Sequence, residues 1–233
     1  MVAGGGTGIG LACARALTAA GYSVTVLGRR EAPLLAAVAS GAAAGLLVAD
    51  AREPPPLHSF SVLVNAAGVA ESAPFHRTPV EMFQRALEVN LLAAVALTHA
   101  LLPGMLAAGH GRVVHIASTA ALRGYAYTTA YTASKHALLG FCRALALEVA
   151  AKGVTVNAVC PGFTETAIVA DSIARIAART GRGDAEARAE LIRHNPQGRL
   201  VQPDEVAAAV LYLCGDGAAA VNGVALPIAG GEI

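Results

Sequence analysis

The sequence predicts an α/β protein in which a mostly parallel, seven-stranded sheet is covered by helices on both faces. Two observations predict this class. Short runs rich in β-branched residues and leucine alternate with longer helical patterns, and the short runs are apolar almost throughout. The alternation is typical of βαβ units. Strands that are apolar on both sides are expected where helices cover both faces of a sheet.

Each element is predicted from its local pattern. Strands are predicted at Val2–Ala3, Ser23–Leu27, Gly45–Val48, Ser61–Val64, Arg112–Ala117, Thr155–Cys160 and Ala225–Ile228. Helices are predicted over Ile9–Ala20, Ala32–Ser40, Pro79–Ala108, Tyr131–Lys152, Ala185–Arg193 and Pro203–Leu213. Glycine follows three of these helices and is expected to end them, at Gly21, Gly109 and Gly153. The first strand is unusually short, and the prolines at 54–56 predict an extended loop in place of a helix in the third crossover.

The composition indicates one folded domain, residues 1–233. Hydrophobic residues make up 55% of the chain and charged residues 14%, which excludes intrinsic disorder. The net charge of +1 argues against electrostatic binding of nucleic acid. The most apolar stretch, Leu87–Ala108, is interrupted by polar residues, so no membrane span or membrane partner is expected. Four scattered cysteines favour a reducing cytoplasm and no metal site: Cys13, Cys142, Cys160 and Cys214.

A glycine cluster follows the first predicted strand and opens the first helix. Its sequence is Gly4-Gly5-Gly6-Thr7-Gly8-Ile9-Gly10. Glycines let a backbone turn tightly and approach a pyrophosphate, whose charge is favoured by the helix N-terminus. A dinucleotide site is one interpretation, and a simple strand–helix turn is the other.

The end of the second predicted strand bears on the choice of cofactor. Here the chain has Gly28-Arg29-Arg30, with no carboxylate before Glu31. An acidic residue at this place binds the ribose 2′-hydroxyl of NAD, whereas arginine pairs with the 2′-phosphate of NADP. Arg29 therefore favours NADP(H) over NAD(H), unless it is a solvated arginine at a strand end.

A second group of residues indicates proton transfer. Tyr131 and Lys135 are four residues apart, so on a helix they share one face. A cation about 5 Å from the phenol is expected to lower its pKa by about two units, toward the range useful for exchange with an alcohol or carbonyl oxygen. Ser118 closes the preceding strand and could hold a substrate oxygen. Other polar or glycine-containing segments follow strands or lie in the long helix, at Asn65–Gly68, Asn90 and Pro161–Gly162.

These motifs, in this order and spacing, resemble the short-chain dehydrogenase/reductase family, in its single-domain branch. The resemblance covers essentially all of the chain. It implies a Rossmann-type, doubly wound α/β/α sandwich and an NAD(P)(H)-dependent enzyme that interconverts a carbonyl and a secondary alcohol. It rests on the glycine motif, Asp50, Asn65–Gly68, Asn90, Ser118, Tyr131, Lys135, Pro161–Gly162 and Thr166.

The resemblance also implies roles for individual residues. Tyr131 would protonate the carbonyl oxygen, and Lys135 would lower the phenol pKa and bind the nicotinamide ribose. Ser118 would orient the substrate oxygen, and Asn90 would hold a water that relays protons. The implied cofactor contacts are Gly4, Thr7, Gly8, Ile9 and Gly10 at the pyrophosphate, Arg29 and Asp50 at the adenosine, Asn65, Ala66 and Gly68 beside it, and Pro161, Gly162, Thr164 and Thr166 near the nicotinamide. Ala3 and Ala229 depart from the usual pattern, which often has threonine and aspartate there.

The segment after Thr166, about 167–199, is expected to form a lid over the substrate. One interpretation of its arginines is contact with phosphates of a CoA thioester or carrier-protein phosphopantetheine, and the other is a solvated helix face. They are Arg175, Arg179, Arg182, Arg188 and Arg193. Tyr125, Tyr127 and Phe163 are expected to supply an apolar wall. Residues 156–163 and 198–220 resemble aromatic-polyketide ketoreductases and 3-hydroxyacyl-CoA dehydrogenases, which favours a 3-ketoacyl thioester or related β-keto substrate.

Two alternatives belong to other functional classes. A catalytically idle, dinucleotide-binding redox sensor would need no acid–base group, which the set Asn90, Ser118, Tyr131 and Lys135 argues against. A nucleotide-sugar epimerase of the longer branch would need a further C-terminal substrate domain. The family resemblance and the apolar long helices also predict a homodimer or homotetramer.

Overall fold

All seven predicted strands form one parallel sheet in the computed structural model, which describes residues 1–57, 60–181 and 183–233. The strands are β1 (Val2–Ala3), β2 (Thr25–Gly28), β3 (Gly45–Val48), β4 (Val62–Asn65), β5 (Gly111–Ile116), β6 (Val154–Pro161) and β7 (Ala225–Ile228). Their order is β3-β2-β1-β4-β5-β6-β7, and every pairing is parallel. The predicted α/β fold class is confirmed.

Helices cover both faces of this sheet. They are α1 (Gly8–Ala19), α2 (Glu31–Ala39), α3 (Val80–Leu87), α4 (Ala93–Ala108), α5 (Thr129–Val149), α6 (Ala167–Thr180), α7 (Asp184–Ile192) and α8 (Pro203–Cys214). Leu97 of α4 and Leu138 of α5 are buried in the hydrophobic core on one face. Leu17 of α1 and Val210 of α8 are buried in a second core on the other face. The sheet is therefore the middle layer of three.

The short first strand is extended by the main chain of Met1. The Met1 amino group donates to the Val62 carbonyl at 2.8 Å, and the Met1 carbonyl accepts from the Val64 amide at 2.9 Å. Pairing with β4 thus continues beyond the two residues assigned to β1. The contracted third crossover has no helix in its described residues, 49–57 and 60–61, as the prolines predict.

Two helix predictions need correction. The stretch predicted as one helix, Pro79–Ala108, consists of α3, a five-residue π-helical turn at Glu88–Leu92, and α4. Asn90 lies in that wider turn. No helix was predicted over α6, although its buried residues, Val169 and Ile173, have helical spacing. Gly21, Gly109 and Gly153 do follow their helices, each with a positive φ angle.

The continuous helical stretch Val80–Ala108 is long and apolar enough to cross a membrane, as judged by length and composition alone. A core helix passes the same test. In the structure Leu97, Leu101 and Met105 from this stretch are buried against the sheet. About a third of its most apolar window lies inside the protein.

Candidate active site

The functional candidates meet at the carboxyl ends of β1 and β4, where the chain leaves toward opposite faces of the sheet. Such a switch point opens a crevice in doubly wound sheets. Two adjoining cavities lie there, of about 290 Å³ on the glycine-rich side and about 210 Å³ on the side of Tyr131. They share lining residues, among them Ile9, Gly68 and Thr166, so they form one continuous cleft.

The glycine-rich half of the cleft is a backbone cradle. A Cβ on Gly10 would lie 2.2 Å from the Gly4 carbonyl oxygen, and one on Gly4 would lie 2.9 Å from the backbone of Ala66. The first turn of α1 carries no acidic side chain, and its N-cap residue Thr7 makes no capping side-chain bond. The helix therefore directs unpaired amide groups and its positive dipole end at this half, which fits the pyrophosphate of a dinucleotide.

Charged residues surround the far end of the same half. Arg29 and Arg30 are exposed at the end of β2 and line the cavity together with Asp50. The Asp50 carboxylate accepts from the backbone and guanidinium of Arg52, with a shortest distance of 2.7 Å. These hydrogen bonds lower the pKa of Asp50 to about 2. Asp50 thus remains ionised. Arg52 was missed in the sequence analysis, although the spacing of the pair in Asp50-Ala51-Arg52 was a signal for it.

The second half of the cleft holds the predicted proton-transfer residues. Ser118 follows β5, and Tyr131 and Lys135 lie one turn apart on α5; all three line the cavity. The Lys135 ammonium donates to the Ile116 carbonyl at 2.9 Å and lies 5.8 Å from the centroid of the Tyr131 ring. The structure therefore brings the three side chains together.

The expected direction of the Tyr131 pKa is wrong in this structure. Burial raises the pKa of the phenol, and hydrogen bonding with Ser118 only partly offsets this. Burial also lowers the pKa of Lys135 to about 8, so its positive charge is partly lost just above neutral pH. The four-residue spacing correctly predicts Lys135 as the neighbour of the phenol. It does not indicate how far both groups are removed from water, and desolvation opposes the charged form of each.

Asn90 is fully buried in the π-helical turn. Its amide nitrogen donates to the Val69 carbonyl at 3.1 Å and to the Ser134 hydroxyl at 2.9 Å, and its amide oxygen accepts from the Val69 amide at 2.9 Å. Both amide hydrogens are thus used within the protein. Gly68 separates Asn90 from Lys135, because a Cβ there would lie 3.1 Å from the Asn90 amide oxygen and 3.6 Å from the Lys135 nitrogen.

The remaining predicted cofactor residues divide into two groups. Ala66, Gly68 and Thr166 line both halves of the cleft, whereas Pro161, Gly162 and Thr164 line only the reaction half. Asn65 is buried and does not line either cavity. Its side chain accepts from the Ala67 amide at 3.2 Å, so it shapes the loop after β4. As a direct cofactor contact it is not supported.

The lid arginines do not act as one group. Arg175 lines the reaction half, where its guanidinium donates to the Ala70 carbonyl at 3.3 Å. Arg188 pairs with Glu165, and Arg193 pairs with Glu190. Arg182 and the Arg179 side chain lie outside the described residues. Among the lid arginines whose side chains the structure describes, Arg175 is therefore the one at the cavity.

The predicted apolar wall is right for two of its three members. Tyr125 and Phe163 line the reaction half, and their ring centroids are 6.1 Å apart in an edge-on arrangement. Tyr127 is 64% exposed with a φ of +68°, and it does not line the cavity. In residues 1–57, 60–181 and 183–233, no group of three or more His, Cys, Asp or Glu side chains is placed to hold a metal ion.

A cleft of this kind in a doubly wound sheet is where dinucleotide-dependent enzymes hold their cofactor, so the fold and the cleft define that class of protein. The family model that matches is described as enoyl-(acyl carrier protein) reductase and covers residues 3–232. A variant of actinorhodin polyketide ketoreductase, solved with NADPH, is 36% identical, with a TM-score of 0.92 over 99% of this chain and 95% of that one.

Enzymes of known name align over the same length. D-β-hydroxybutyrate dehydrogenase of Cupriavidus necator is 33% identical over 100% of this chain and 96% of that protein. Acetoacetyl-CoA reductase of Rhizobium meliloti is 34% identical over 100% of this chain and 97% of that protein. The chain belongs to the short-chain dehydrogenase/reductase family. The predicted enzyme class, an NAD(P)(H)-dependent oxidoreductase that interconverts a carbonyl and an alcohol, is confirmed, and the preference for NADP(H) agrees with the NADPH-bound relative.

Proposed function

We propose that this protein is an NADP(H)-dependent ketoreductase or hydroxyacyl dehydrogenase whose proton donor and acceptor is Tyr131. The observation that carries the proposal is the position of Ser118, Tyr131 and Lys135 on the wall of a cavity that joins the glycine-lined half of the cleft. Bound NADP(H) supplies or accepts the hydride. The chain's own residues supply the proton and hold the reacting oxygen.

The proton-transfer step depends on the Tyr131 phenol. A substrate oxygen between Ser118 and Tyr131 would accept a hydrogen bond from each, so Tyr131 can pass its proton to that oxygen during reduction and recover one during oxidation. Lys135 holds positive charge beside the phenol and favours its ionised form, against the opposing effect of burial. Asn90 and Gly68 keep the loop after β4 close to Lys135.

Replacing Tyr131 with Phe tests this assignment. Tyr131→Phe removes only the hydroxyl, so an enzyme is expected to lose nearly all turnover and retain its affinity for NADPH, measured by fluorescence titration. A non-catalytic sensor would show no turnover in the wild type either. Thr132→Val, one residue along α5, serves as a matched control for loss of a hydroxyl group.

Selectivity for NADP(H) is assigned to Arg29. Its side chain is exposed at the end of β2, where it lines the adenosine side of the cleft. A hydrogen bond to a charged group contributes about 1.5–3 kcal/mol, so Arg29→Ala is expected to raise the KM for NADPH by at least about tenfold. The KM for NADH should change little. Arg15→Ala, an exposed arginine on α1, is the control.

The substrate is proposed to be a 3-ketoacyl or 3-hydroxyacyl thioester, with aromatic-polyketide ketones as the second candidate. Tyr125 and Phe163 give the cavity an apolar wall, and Arg175 is the lid arginine that lines it among the side chains that the structure describes. The named relatives act on β-keto or β-hydroxy compounds by name, which supports the same class here.

Turnover of acetoacetyl-CoA against simple ketones tests the substrate class. A thioester enzyme should turn over acetoacetyl-CoA far faster than 2-butanone, and equal rates would reject the thioester. Arg175→Ala should then raise the KM for acetoacetyl-CoA more than that for ethyl acetoacetate. Arg193→Ala, an exposed arginine paired with Glu190, is the matched control on the lid.

We also propose that the chain is one domain with a lid at about 167–199, that it forms a homodimer or homotetramer, and that it works in the cytoplasm. Exposed apolar side chains on α4, α5 and α8 support assembly, among them Leu106, Leu147 and Tyr212. The four free, buried cysteines fit a reducing compartment. Light scattering of the purified protein measures the assembly.

A further inference from the structure

A buried carboxylate lies behind Tyr125, one of the residues that line the reaction half of the cleft. Glu232, next to the last residue of the chain, has a side chain only 2% exposed. Its Oε1 oxygen accepts a hydrogen bond from the Tyr125 hydroxyl and lies 3.9 Å from Nδ1 of His194. Neither the glycine motif nor the proton-transfer residues account for this group.

The hydrogen bonds of Tyr125 can be assigned from their chemistry. The phenol oxygen lies within hydrogen-bond distance of both Glu232 and the Thr119 hydroxyl, the latter at 2.7 Å. A phenol has a single hydrogen, and an ionised carboxylate can only accept. Tyr125 therefore donates to Glu232 and accepts from Thr119. Its polar atom is fully used, so Tyr125 offers the cavity an aromatic ring rather than a hydroxyl group.

The Glu232 carboxylate, in the C-terminal segment, contacts both the loop after β5 and the segment after α7. Tyr125 belongs to the loop after β5, and His194 follows α7 of the lid. The rings of Tyr125, Phe163 and His194 form a packed group, here called the aromatic wall, with centroid separations of 5.5–6.1 Å. The C-terminal segment that carries Glu232 fits closely against the lid, because a Cβ on Gly230 would lie 2.0 Å from the Asn195 side chain.

We propose that Glu232 is a positioning residue for the substrate. By accepting the Tyr125 hydrogen it fixes the aromatic wall and keeps the cavity side of that wall apolar. The cavity then favours substrates with an extended apolar group on the reacting carbonyl. The inference rests on the proposed function, because it takes this cavity to be the substrate site.

Two β-keto esters that differ only in the acyl chain test the proposal, with NADPH as the reductant. Glu232→Ala should raise the KM for ethyl 3-oxohexanoate by up to about tenfold, since the free energy of the Tyr125–Glu232 hydrogen bond sets the upper limit. The KM for ethyl acetoacetate and both kcat values should change little. Glu232→Gln retains an oxygen that accepts from Tyr125 and should recover most of the loss. Glu186→Gln, which changes an exposed carboxylate on the lid, is the matched control.

A double-mutant cycle shows whether Glu232 acts through Tyr125. Tyr125→Phe should give the same selective loss, and the double variant Glu232→Ala/Tyr125→Phe should be no worse than either single variant. Equal losses on both esters, or single losses that multiply, would overturn the proposal. If Glu232→Ala does not fold, as judged by its melting temperature and NADPH affinity, Tyr125→Phe decides by the same selectivity. A wild type that reduces neither ester would instead contradict the proposed function.

Discussion

The interaction between Lys135 and Tyr131 allows the most direct quantitative test of the site. The Lys135 ammonium lies 5.8 Å from the centre of the Tyr131 ring. At this separation and an effective dielectric constant of about 20, a unit charge favours the phenolate by about 3 kcal/mol, or about two pK units. Lys135→Met removes the charge and keeps much of the side-chain volume. The pKa of Tyr131, already raised by burial, should therefore rise further.

The assay is the pH dependence of kcat for alcohol oxidation, at saturating cofactor and substrate. In this direction the phenolate is the base, so the rate rises with pH until the phenol is ionised. In Lys135→Met, kcat at pH 7, where Lys135 of the wild type is charged, should fall by about 100-fold. The deficit should shrink above about pH 8, where wild-type Lys135 loses its own proton. Along the rising limb, the kcat of Lys135→Met should increase about tenfold for each pH unit.

The reasoning would be refuted if the rising limb kept its midpoint while the rate fell uniformly. That result would mean that Lys135 only holds the cofactor or the loop after β4. NADPH affinity, measured by fluorescence, separates a binding defect from a shift in the phenol pKa. Lys152→Met makes the same substitution at an exposed lysine beyond α5 and should leave the profile unchanged.

Two further predictions concern stability. Burial lowers the pKa of His115 to about 3, against an ordinary value of 6.5, so below pH 6.5 the unfolded chain binds a proton that the folded protein does not. Stability should fall by about 2 kcal/mol from pH 8 to pH 5 through this group, and urea titrations of His115→Gln should show a correspondingly smaller loss. Gly10→Ala places a Cβ 2.2 Å from the Gly4 carbonyl oxygen and should lower the free energy of unfolding by about 1–3 kcal/mol, with weaker NADPH binding. Gly104→Ala, with open space around it, should be neutral or stabilising; equal losses at both glycines would contradict the steric argument.

The parts of the fold that the sequence predicted are those set by local patterns. The seven strands were found because buried parallel strands are continuous apolar runs, and three helix ends were found because glycine adopts positive φ angles. The positions of Ser118, Tyr131 and Lys135 could also be predicted. Each lies at a strand end or on one helix face, and the topology of a parallel sheet brings strand ends to one edge.

The remaining errors come from contacts between residues distant in sequence. Tyr127 and Tyr125 are two residues apart and equally aromatic, yet Tyr125 lines the cavity whereas Tyr127, with a positive φ, is exposed. Glu232 is 107 residues from Tyr125, and no local pattern connects the two. The sequence likewise does not distinguish a lid arginine that lines the cleft from one that pairs with a carboxylate. Arg188 is of the second kind, because it pairs with Glu165.

The pKa of Tyr131 shows why spacing alone could not predict the electrostatics of the site. A spacing of four residues on a helix places a cation beside a phenol. The predicted separation of about 5 Å is close to the 5.8 Å observed between the Lys135 nitrogen and the centre of the Tyr131 ring. The sign of the net shift depends instead on how much water both groups lose, and the burial of α5 against the sheet was not visible in the spacing. Burial disfavours the phenolate and the ammonium alike, so it raises one pKa and lowers the other. The two pKa values therefore move apart, so near neutral pH the phenol keeps the proton that it donates to a carbonyl oxygen during reduction.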